Sequence, residues 1–370
     1  MGKIDLKKLF ILAIESRASD IHLRAGTPPI LRIDGKLHQM LPTGISVLSA
    51  EDTKAIAEEL MTPRQRVEFE RRQECDLAVD VGEEGRFRVN IFQQRGTISL
   101  VFRYIPKQVP SFEDLNLPPV LKTFCEYSRG LVLVTGPTGC GKSTTLASMI
   151  DYINSNFNVH IVTIEDPIEY VYENKKAIIS QRELGIDTLS YAEALRHIVR
   201  QDPNVILLGE MRDVETISSA LIAAQTGHLV LSTIHTIDAV QTINRIIGFF
   251  PPHEQNQIKS LLADTLIGVV SQRLLLRKDR PGRIPAVEVL VVTPHIRKLI
   301  EENNTQEIVA AMKQGKYYGM QTFTQALAEL CKKDLVDVEE AIKIAPNPEE
   351  LMLILRGIES SDTGEMYIKL

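Results

Sequence analysis

The sequence carries no surplus of positive charge. Against 48 Asp and Glu it has 42 Lys and Arg, which leaves a formal net charge of −6 and a pI near 5.8. The basic footprint of a nucleic-acid binder is therefore missing. That speaks against a helicase or recombinase, although a local basic stripe can sit inside a near-neutral total. Cysteine is scarce and scattered: Cys75, Cys125, Cys140 and Cys331 form no C-x-x-C pair. Neither a structural zinc module nor a disulfide framework follows from such spacing, and a reducing compartment is the simplest setting. No run approaches the roughly eighteen apolar residues that span a bilayer. The opening stretch, MGKIDLKKLFILAIESRASD, is interrupted by charges and reads as an amphipathic helix, a poor signal peptide. Low-complexity tracts and internal repeats are absent as well.

What remains is a globular chain of 370 residues, 44% hydrophobic and 24% charged, long enough for two or three domains. Leu6, Phe10, Ala13 and Ile14 recur at helical spacing and predict a helix over residues 4–17. A strand at Asp20–Arg24 follows. Ile30–Ile33 and Lys36–Met40 flank Asp34-Gly35, a two-residue hairpin turn that tolerates positive φ. A second hairpin spans Gly82–Gly85. Its outgoing strand, RFRVNIF, puts Phe87, Val89 and Ile91 on one face and Arg86, Arg88 and Asn90 on the other. With Thr97–Tyr104 these strands predict an N-terminal α+β domain over residues 1–104. Pro106, Pro110, Pro118 and Pro119 then mark residues 105–119 as an interdomain linker, since such a stretch supports neither a ladder nor a long helix.

Beyond it the pattern changes. Apolar runs at Leu131–Thr135, His160–Ile164, Asn204–Leu208 and Leu229–Ser232 alternate with helical segments at Lys142–Ile153, Tyr191–Arg200 and Val214–Gln225. Strand–helix alternation predicts a parallel sheet covered on both faces over residues 120–293. Residues 294–370 read as helices only.

The strongest chemical signal is Gly136-Pro137-Thr138-Gly139-Cys140-Gly141-Lys142-Ser143, followed by Thr144, which fits G-x-x-x-x-G-K-[ST]. Glycines let the backbone curl so that successive N–H groups face a phosphate, and the next helix presents its positive end to the same anion. Lys142 then reaches the β- and γ-phosphates, and Ser143 ligates Mg²⁺. The motif lies between an apolar strand and an amphipathic helix, the context its chemistry needs.

Three further strands run into polar residues at their C-terminal ends: Glu165-Asp166, Gly209-Glu210, and Thr233 with His235. In a parallel sheet those ends share the ligand-binding edge. Glu210 is the candidate to orient the attacking water; the alternative is that it caps the next helix or pairs with Arg212. Glu165 or Asp166 holds Mg²⁺ through water, or else simply starts the Asp166-Pro167 turn. His228 and His235 bracket a buried strand, where a hydrogen-bonded core histidine competes with a γ-phosphate sensor. By pattern alone Arg88 and Arg103 are solvated polar-face residues. A triphosphate is hard to enclose from one domain, however, and arginines from another domain or subunit are a common remedy.

Together these segments resemble the type II/IV secretion ATPase superfamily, through GPTGCGKST, an Asp box at Ile164–Glu169, NVILLGEMRD and a His box at TGHLVLSTIHT. Ala18-Ser19-Asp20-Ile21-His22 also looks like the start of that family's N-terminal domain. The resemblance implies an α/β fold: a PAS-like N-terminal domain, a RecA-like P-loop motor domain with a helical C-terminal region, and a homohexameric ring. It implies ATP and Mg²⁺ as cofactors, Glu210 as catalytic glutamate, and roles for His228, His235, Arg88 and Arg103. Within the superfamily three features favour type IV pilus retraction ATPases, the PilT family. The chain is short with no domain ahead of its first helix, and it lacks the four-cysteine module usual in assembly and type II ATPases. The segment His295–Glu302 also matches the retraction motif A-I-R-N-L-I-R-E at five of eight positions, departing at His295, Lys298 and Glu301. Cys140 departs from the commoner P-loop Ser and puts a thiol where oxidation would block the site. The implied setting is the cytoplasmic face of the inner membrane, against a pilus platform protein, with no nucleic acid and no transmembrane segment.

Rival readings are a pilus assembly or type II secretion ATPase, a RecA-like nucleic-acid translocase, and a non-hydrolysing adaptor. A GTPase would need an N-K-x-D segment and an ABC ATPase an L-S-G-G-Q, and neither is present.

Overall fold

The computed structural model describes residues 5–33, 35–40, 47–82, 85–105, 107–360 and 366–368. They divide into two compact units, Met1–Gln108 and Val109–Leu370. Asp34 of the first predicted turn, two residues of the second and Pro106 lie outside the described residues.

In the first unit, α1 (Leu6–Glu15) starts where Asp5 accepts a hydrogen bond from the Lys8 N–H and caps the helix. β1 (Asp20–Arg24), β2 (Ile30–Ile33) and β3 (Lys36–Gln39) follow. Two helices, α2 (Ala50–Leu60) and α3 (Pro63–Arg72), then precede β4 (Glu74–Asp80), β5 (Arg86–Gln94) and β6 (Thr97–Ile105). The strands form one antiparallel sheet in the order β3-β2-β1-β6-β5-β4. Alternation along β5 works as the pattern requires: Phe87, Val89 and Ile91 are wholly buried while Arg86, Arg88 and Asn90 stay half-buried. Phe10 of α1 stacks on Phe87 at 4.6 Å between ring centroids, which docks the helix on the core face. α2 and α3 were absent from the sequence reading. Each opens with a capping box, Ser49 with Asp52 and Thr62 with Gln65.

The second unit opens with α4 (Val120–Cys125), β7 (Gly130–Thr135) and α5 (Lys142–Asn156). β8 (His160–Glu165), β9 (Ile178–Glu183), α6 (Tyr191–Ile198), β10 (Val205–Leu208), α7 (Val214–Gln225) and β11 (Leu229–Ile234) come next. After α8 (Ala239–Gly248) and α9 (Gln255–Thr265) the chain returns as β12 (Leu266–Leu276) and β13 (Arg283–Val291). The seven strands stand in the order β13-β12-β7-β11-β10-β8-β9. All neighbours run parallel except β12 and β13. Every residue of β7, β10 and β11 is buried, because helices cover both faces. Val132 and Val134 pack with Leu146, Met149 and Ile150 of α5 on one side. Leu131, Leu133 and Val162 pack with Ile217 and Leu221 of α7 on the other.

β9, β12 and β13 extend the sheet beyond the four runs read from sequence. β12 follows α9 with no turn residue between them, so composition gives no boundary there. Its Gly268 allows a close approach: a Cβ there would lie 2.5 Å from the Phe124 ring and 2.7 Å from the Leu290 carbonyl oxygen.

The proline-rich stretch is less of a free linker than its composition suggests. From Val109 onward it belongs to the second unit. Phe112 and Leu117 are buried beside α5, and Ser148 Oγ donates to the Pro110 carbonyl at 2.7 Å. Prolines kept the segment out of ladders and long helices but not out of the core.

The C-terminal part contains α10 (Pro294–Glu301), α11 (Ile308–Gln314), α12 (Phe323–Lys332), α13 (Val338–Ile344) and α14 (Pro348–Leu355). A short antiparallel pair, β14 (Ile358–Ser360) and β15 (Met366–Ile368), corrects the expectation of helices alone. Phe323, Leu327 and Leu351 pack on Leu275 and Ile284 of β12 and β13. Among the described residues no helix is long and apolar enough to cross a membrane.

Candidate nucleotide site

β7 delivers the chain to Gly136, and α5 begins at Lys142, so the intervening loop lies at the carboxyl edge of the parallel sheet. Gly136, Gly139 and Gly141 adopt φ of +140°, +78° and +96°, backbone conformations that side-chain-bearing residues rarely hold. At Gly136 close packing adds a second constraint. A Cβ there would stand 2.5 Å from the Gln272 carbonyl oxygen and 2.6 Å from Cys140 Sγ. Pro137, Thr138 and Gly139 are exposed, as is Ser143 in the first turn of α5. Lys142 Nζ curls over the loop and donates to the Gly136 and Pro137 carbonyls at 2.9 and 3.1 Å. Thr144 faces Tyr170, whose hydroxyl lies 3.5 Å from its Oγ1.

The ends of β8, β10 and β11 converge on the same edge, as their parallel register requires. Glu210 is mostly buried, accepts from Arg212 Nε at 2.8 Å and faces His235 Nε2 at 3.4 Å. Arg212 also lies 3.9 Å from Asp166. Three candidates from three loops, Glu210, Asp166 and His235, thus gather with Arg212 in one cluster. The pairing of Glu210 with Arg212 is present, but the cap of α7 is Asp213, not Glu210. The backbone is tied across the strands as well: Thr233 Oγ1 donates to the Gly209 carbonyl at 2.7 Å, and the Met211 N–H to the Thr233 carbonyl at 3.0 Å.

Glu165 behaves differently from its neighbour. Asp166 remains half exposed. The Glu165 carboxyl is buried, and its Oε1 accepts from Thr163 Oγ1 at 2.7 Å and from Gln181 Nε2 at 3.3 Å. Burial pushes its pKa up to about 7 despite those two donors. A raised carboxyl pKa means that the folded protein binds a proton the unfolded chain releases. This group's contribution to stability is therefore greatest below about pH 4.5 and declines as pH rises through about 7. Glu165→Gln, whose amide oxygen can still accept from both donors, is expected to raise stability at pH 8 by on the order of 1–3 kcal/mol. It should also flatten the decline between pH 5 and pH 7.5. Thermal unfolding of wild type and variant across that range checks this; identical slopes would refute it.

The second unit now has both a P-loop between strand and helix and a set of acid, base and histidine groups on the adjoining strand ends. The model of the type II/IV secretion system protein family matches residues 3–343. The chain belongs to that family. It is 44% identical to the type IV pilus retraction ATPase PilT of Pseudomonas aeruginosa, over 94% of this chain and 99% of that one. To a twitching motility protein of Neisseria gonorrhoeae it is 43% identical, over 87% and 86% of the two chains. A crystal structure of the pilus retraction motor PilT with bound ADP superposes with a TM-score of 0.87, at 44% identity over 94% and 99% of the two chains. The protein is a nucleotide-binding ATPase of this family.

In this secretion ATPase two residues of the sequence-derived set are placed apart from the cluster or altered in meaning. His228 precedes β11, at the strand end opposite His235, roughly 20 Å away along the strand. Its Nδ1 bonds the Ala223 carbonyl at 2.9 Å, so within one chain it fastens the end of α7 rather than meeting the P-loop. Cys140 is 3% exposed, and burial raises its thiol pKa above the usual value. A buried thiol is a poor nucleophile, which removes the expected oxidation hazard.

Arg88 and Arg103 belong to the first unit, on its polar sheet face. They stand directly opposite each other on β5 and β6, an arrangement that repels unless countered. Asp20 of β1 supplies the counter-charge. Buried itself, it accepts from Arg103 Nε at 3.0 Å and lies 3.5 Å from Arg32 Nε, while Arg88 approaches Asp76 at 4.0 Å. Two arginines, Arg32 and Arg103, thus share one buried carboxylate, which gives Asp20 of the Ala18–His22 segment a role.

The sequence reading missed several contributors. Gln272 of β12, 1% exposed, donates to Thr145 Oγ1 at 2.8 Å and so braces the P-loop helix from the next strand. Tyr191 borders the acidic cluster, and burial, followed by the charge of Asp166, holds its phenol protonated far above neutrality. Neither has a local signal; Thr145 and Gln272 are brought together only by the pairing of β7 with β12.

Proposed function

We propose that this ATPase is a hexameric, Mg-ATP-driven motor that powers type IV pilus retraction from the cytoplasmic face of the inner membrane. The observation that carries this reading is the match to the PilT proteins along nearly the full length of both chains. In this reading the P-loop backbone from Gly136 to Thr144 cradles the phosphates, and Lys142 leaves its loop carbonyls for the β- and γ-phosphates. Glu210 orients the attacking water, with His235 and Arg212 setting its carboxylate. Arg88 and Arg103 meet the nucleotide from an N-terminal unit, and the platform protein of the pilus machinery receives the motion.

The residues present fit a magnesium ion held largely by substrate. Among the described residues no group of three or more His, Cys, Asp or Glu side chains is arranged to cage a metal. Mg²⁺ bound through one protein hydroxyl, phosphate oxygens and water needs no such cage. Ser143 would hold it, with Asp166 contributing through water; Glu165 is engaged by Thr163 and Gln181 instead. The ion would neutralise charge developing on the transferred phosphoryl group.

Deleting the gene in its host tests the assignment. Electron microscopy is expected to show excess surface pili, together with lost surface motility. Bald cells would make the protein an assembly motor and overturn retraction; normal pili would point to secretion or a redundant role.

A further inference from the structure

Glu288 of β13 has no part in the reading so far, yet it is a carboxylate only 8% exposed. Its Oε1 accepts the backbone N–H of Ala239 at 2.9 Å. Ala239 is the first residue of α8, the helix that begins just after His235. The Phe323 N–H, at the first residue of α12, and the Arg273 guanidinium also favour the charged form of Glu288. Burial and the nearby Asp238 oppose it, leaving a pKa of about 7. The N-terminus of α8, with its positive electrostatic character, is therefore anchored on one buried acid.

The surroundings make this a rigid post. Arg273 is itself held, with its guanidinium 4.4 Å from the Phe323 ring centre and a hydrogen bond to the Ile344 carbonyl. Across the β12–β13 pair Glu288 stands opposite Ser271, which accepts from Thr135 Oγ1 at 2.9 Å, one residue before the P-loop. The segment between His235 and Ala239 is short and well tied. The Thr236 N–H donates to the Ile234 carbonyl at 3.1 Å, Thr236 Oγ1 bonds Thr242 Oγ1 at 2.6 Å, and Asp238 caps the Gln241 N–H at 2.7 Å. A displacement of the α8 N-terminus would therefore be passed to His235 with little slack.

We propose that Glu288 is a positioning residue: by fixing the first turn of α8 it sets the His235 loop, and with it Glu210, for hydrolysis. This rests on the reading that His235 acts at the nucleotide, and a double-mutant cycle separates the two claims. The full-length protein would be assayed for steady-state Mg-ATP hydrolysis as wild type, His235→Ala, Glu288→Leu and the double variant. Glu288→Leu, which removes the acceptor that a glutamine amide oxygen would still offer to the Ala239 N–H, is expected to lower kcat about 10-fold with KM changed less than about 2-fold. In the His235→Ala background the same substitution should cost less than about 2-fold, because the group it positions is gone.

Ala239→Pro is a second probe. It deletes the donor N–H at a helix position where proline is tolerated, after a residue already in extended conformation. It should reproduce the kcat loss and the non-additivity. Equal fold-losses for Glu288→Leu with and without His235 would overturn the proposal while leaving the site reading intact, as would a wild-type kcat in the single variant. If His235→Ala alone left kcat unchanged, the site reading would fall, and the proposal with it.

Discussion

Glu210→Gln is expected to bind ATP with wild-type affinity and to lose turnover by about 10²–10⁴-fold, the range for removing a positioned proton-accepting group. The substitution keeps the shape of the side chain and an oxygen for Arg212 Nε, now 2.8 Å from the carboxylate. Its structural cost should be small, because Arg212 is largely exposed and glutamine keeps an oxygen in the same place to accept its hydrogen bond. What disappears is the negative charge beside His235. Phosphate release and titration with a fluorescent ATP analogue measure the two quantities separately. An unchanged hydrolysis rate would remove Glu210 from its assigned role.

Two substitutions in the P-loop are expected to abolish nucleotide-driven activity by different routes. Lys142→Ala leaves the fold intact: alanine is the best helix former, and the lysine's partners are two carbonyls of its own loop, one part-buried and one exposed. Loss of the phosphate-binding charge should bring ATPase activity below detection with Tm nearly unchanged. Gly136→Ala acts through the protein itself. The new Cβ would lie 2.5 Å from a backbone oxygen of β12 at a φ of +140°. Neither the strand nor the loop can yield cheaply, so a destabilisation of about 2–4 kcal/mol should accompany the loss of binding. Thermal unfolding distinguishes the two, and a Gly136→Ala protein with wild-type Tm would show that the loop relaxes freely.

Much of the site was legible because its chemistry is local. A phosphate cradle needs consecutive N–H groups, so Gly136–Thr144 must be contiguous and can be read as a string. Alternation along RFRVNIF is equally local and identified the buried face of β5. Capping boxes at Ser49 and Thr62 mark the starts of α2 and α3 just as locally. Register and depth, by contrast, have no short-range signature. His228 and His235 look symmetrical about a strand, but a parallel strand has only one end at the ligand edge, and His235 alone lies there. Glu165 and Asp166 are neighbours, yet the strand sends one carboxylate into the protein and leaves the other half exposed.

The sequence by itself determined that this protein has a phosphate-binding loop between a strand and a helix, a parallel sheet, an N-terminal α+β unit and a secretion-ATPase pattern. Those follow from period, turn chemistry and contiguous motifs, which act over a few residues. Only the tertiary structure decided that Gln272 braces Thr145 and that Asp20 holds Arg103 beside Arg88. It also decided that Cys140 is sheltered and that Glu288 caps the helix after His235. Each of these depends on strand pairing between distant segments, and pairing follows from the burial of whole faces rather than from any one residue's neighbours in the chain.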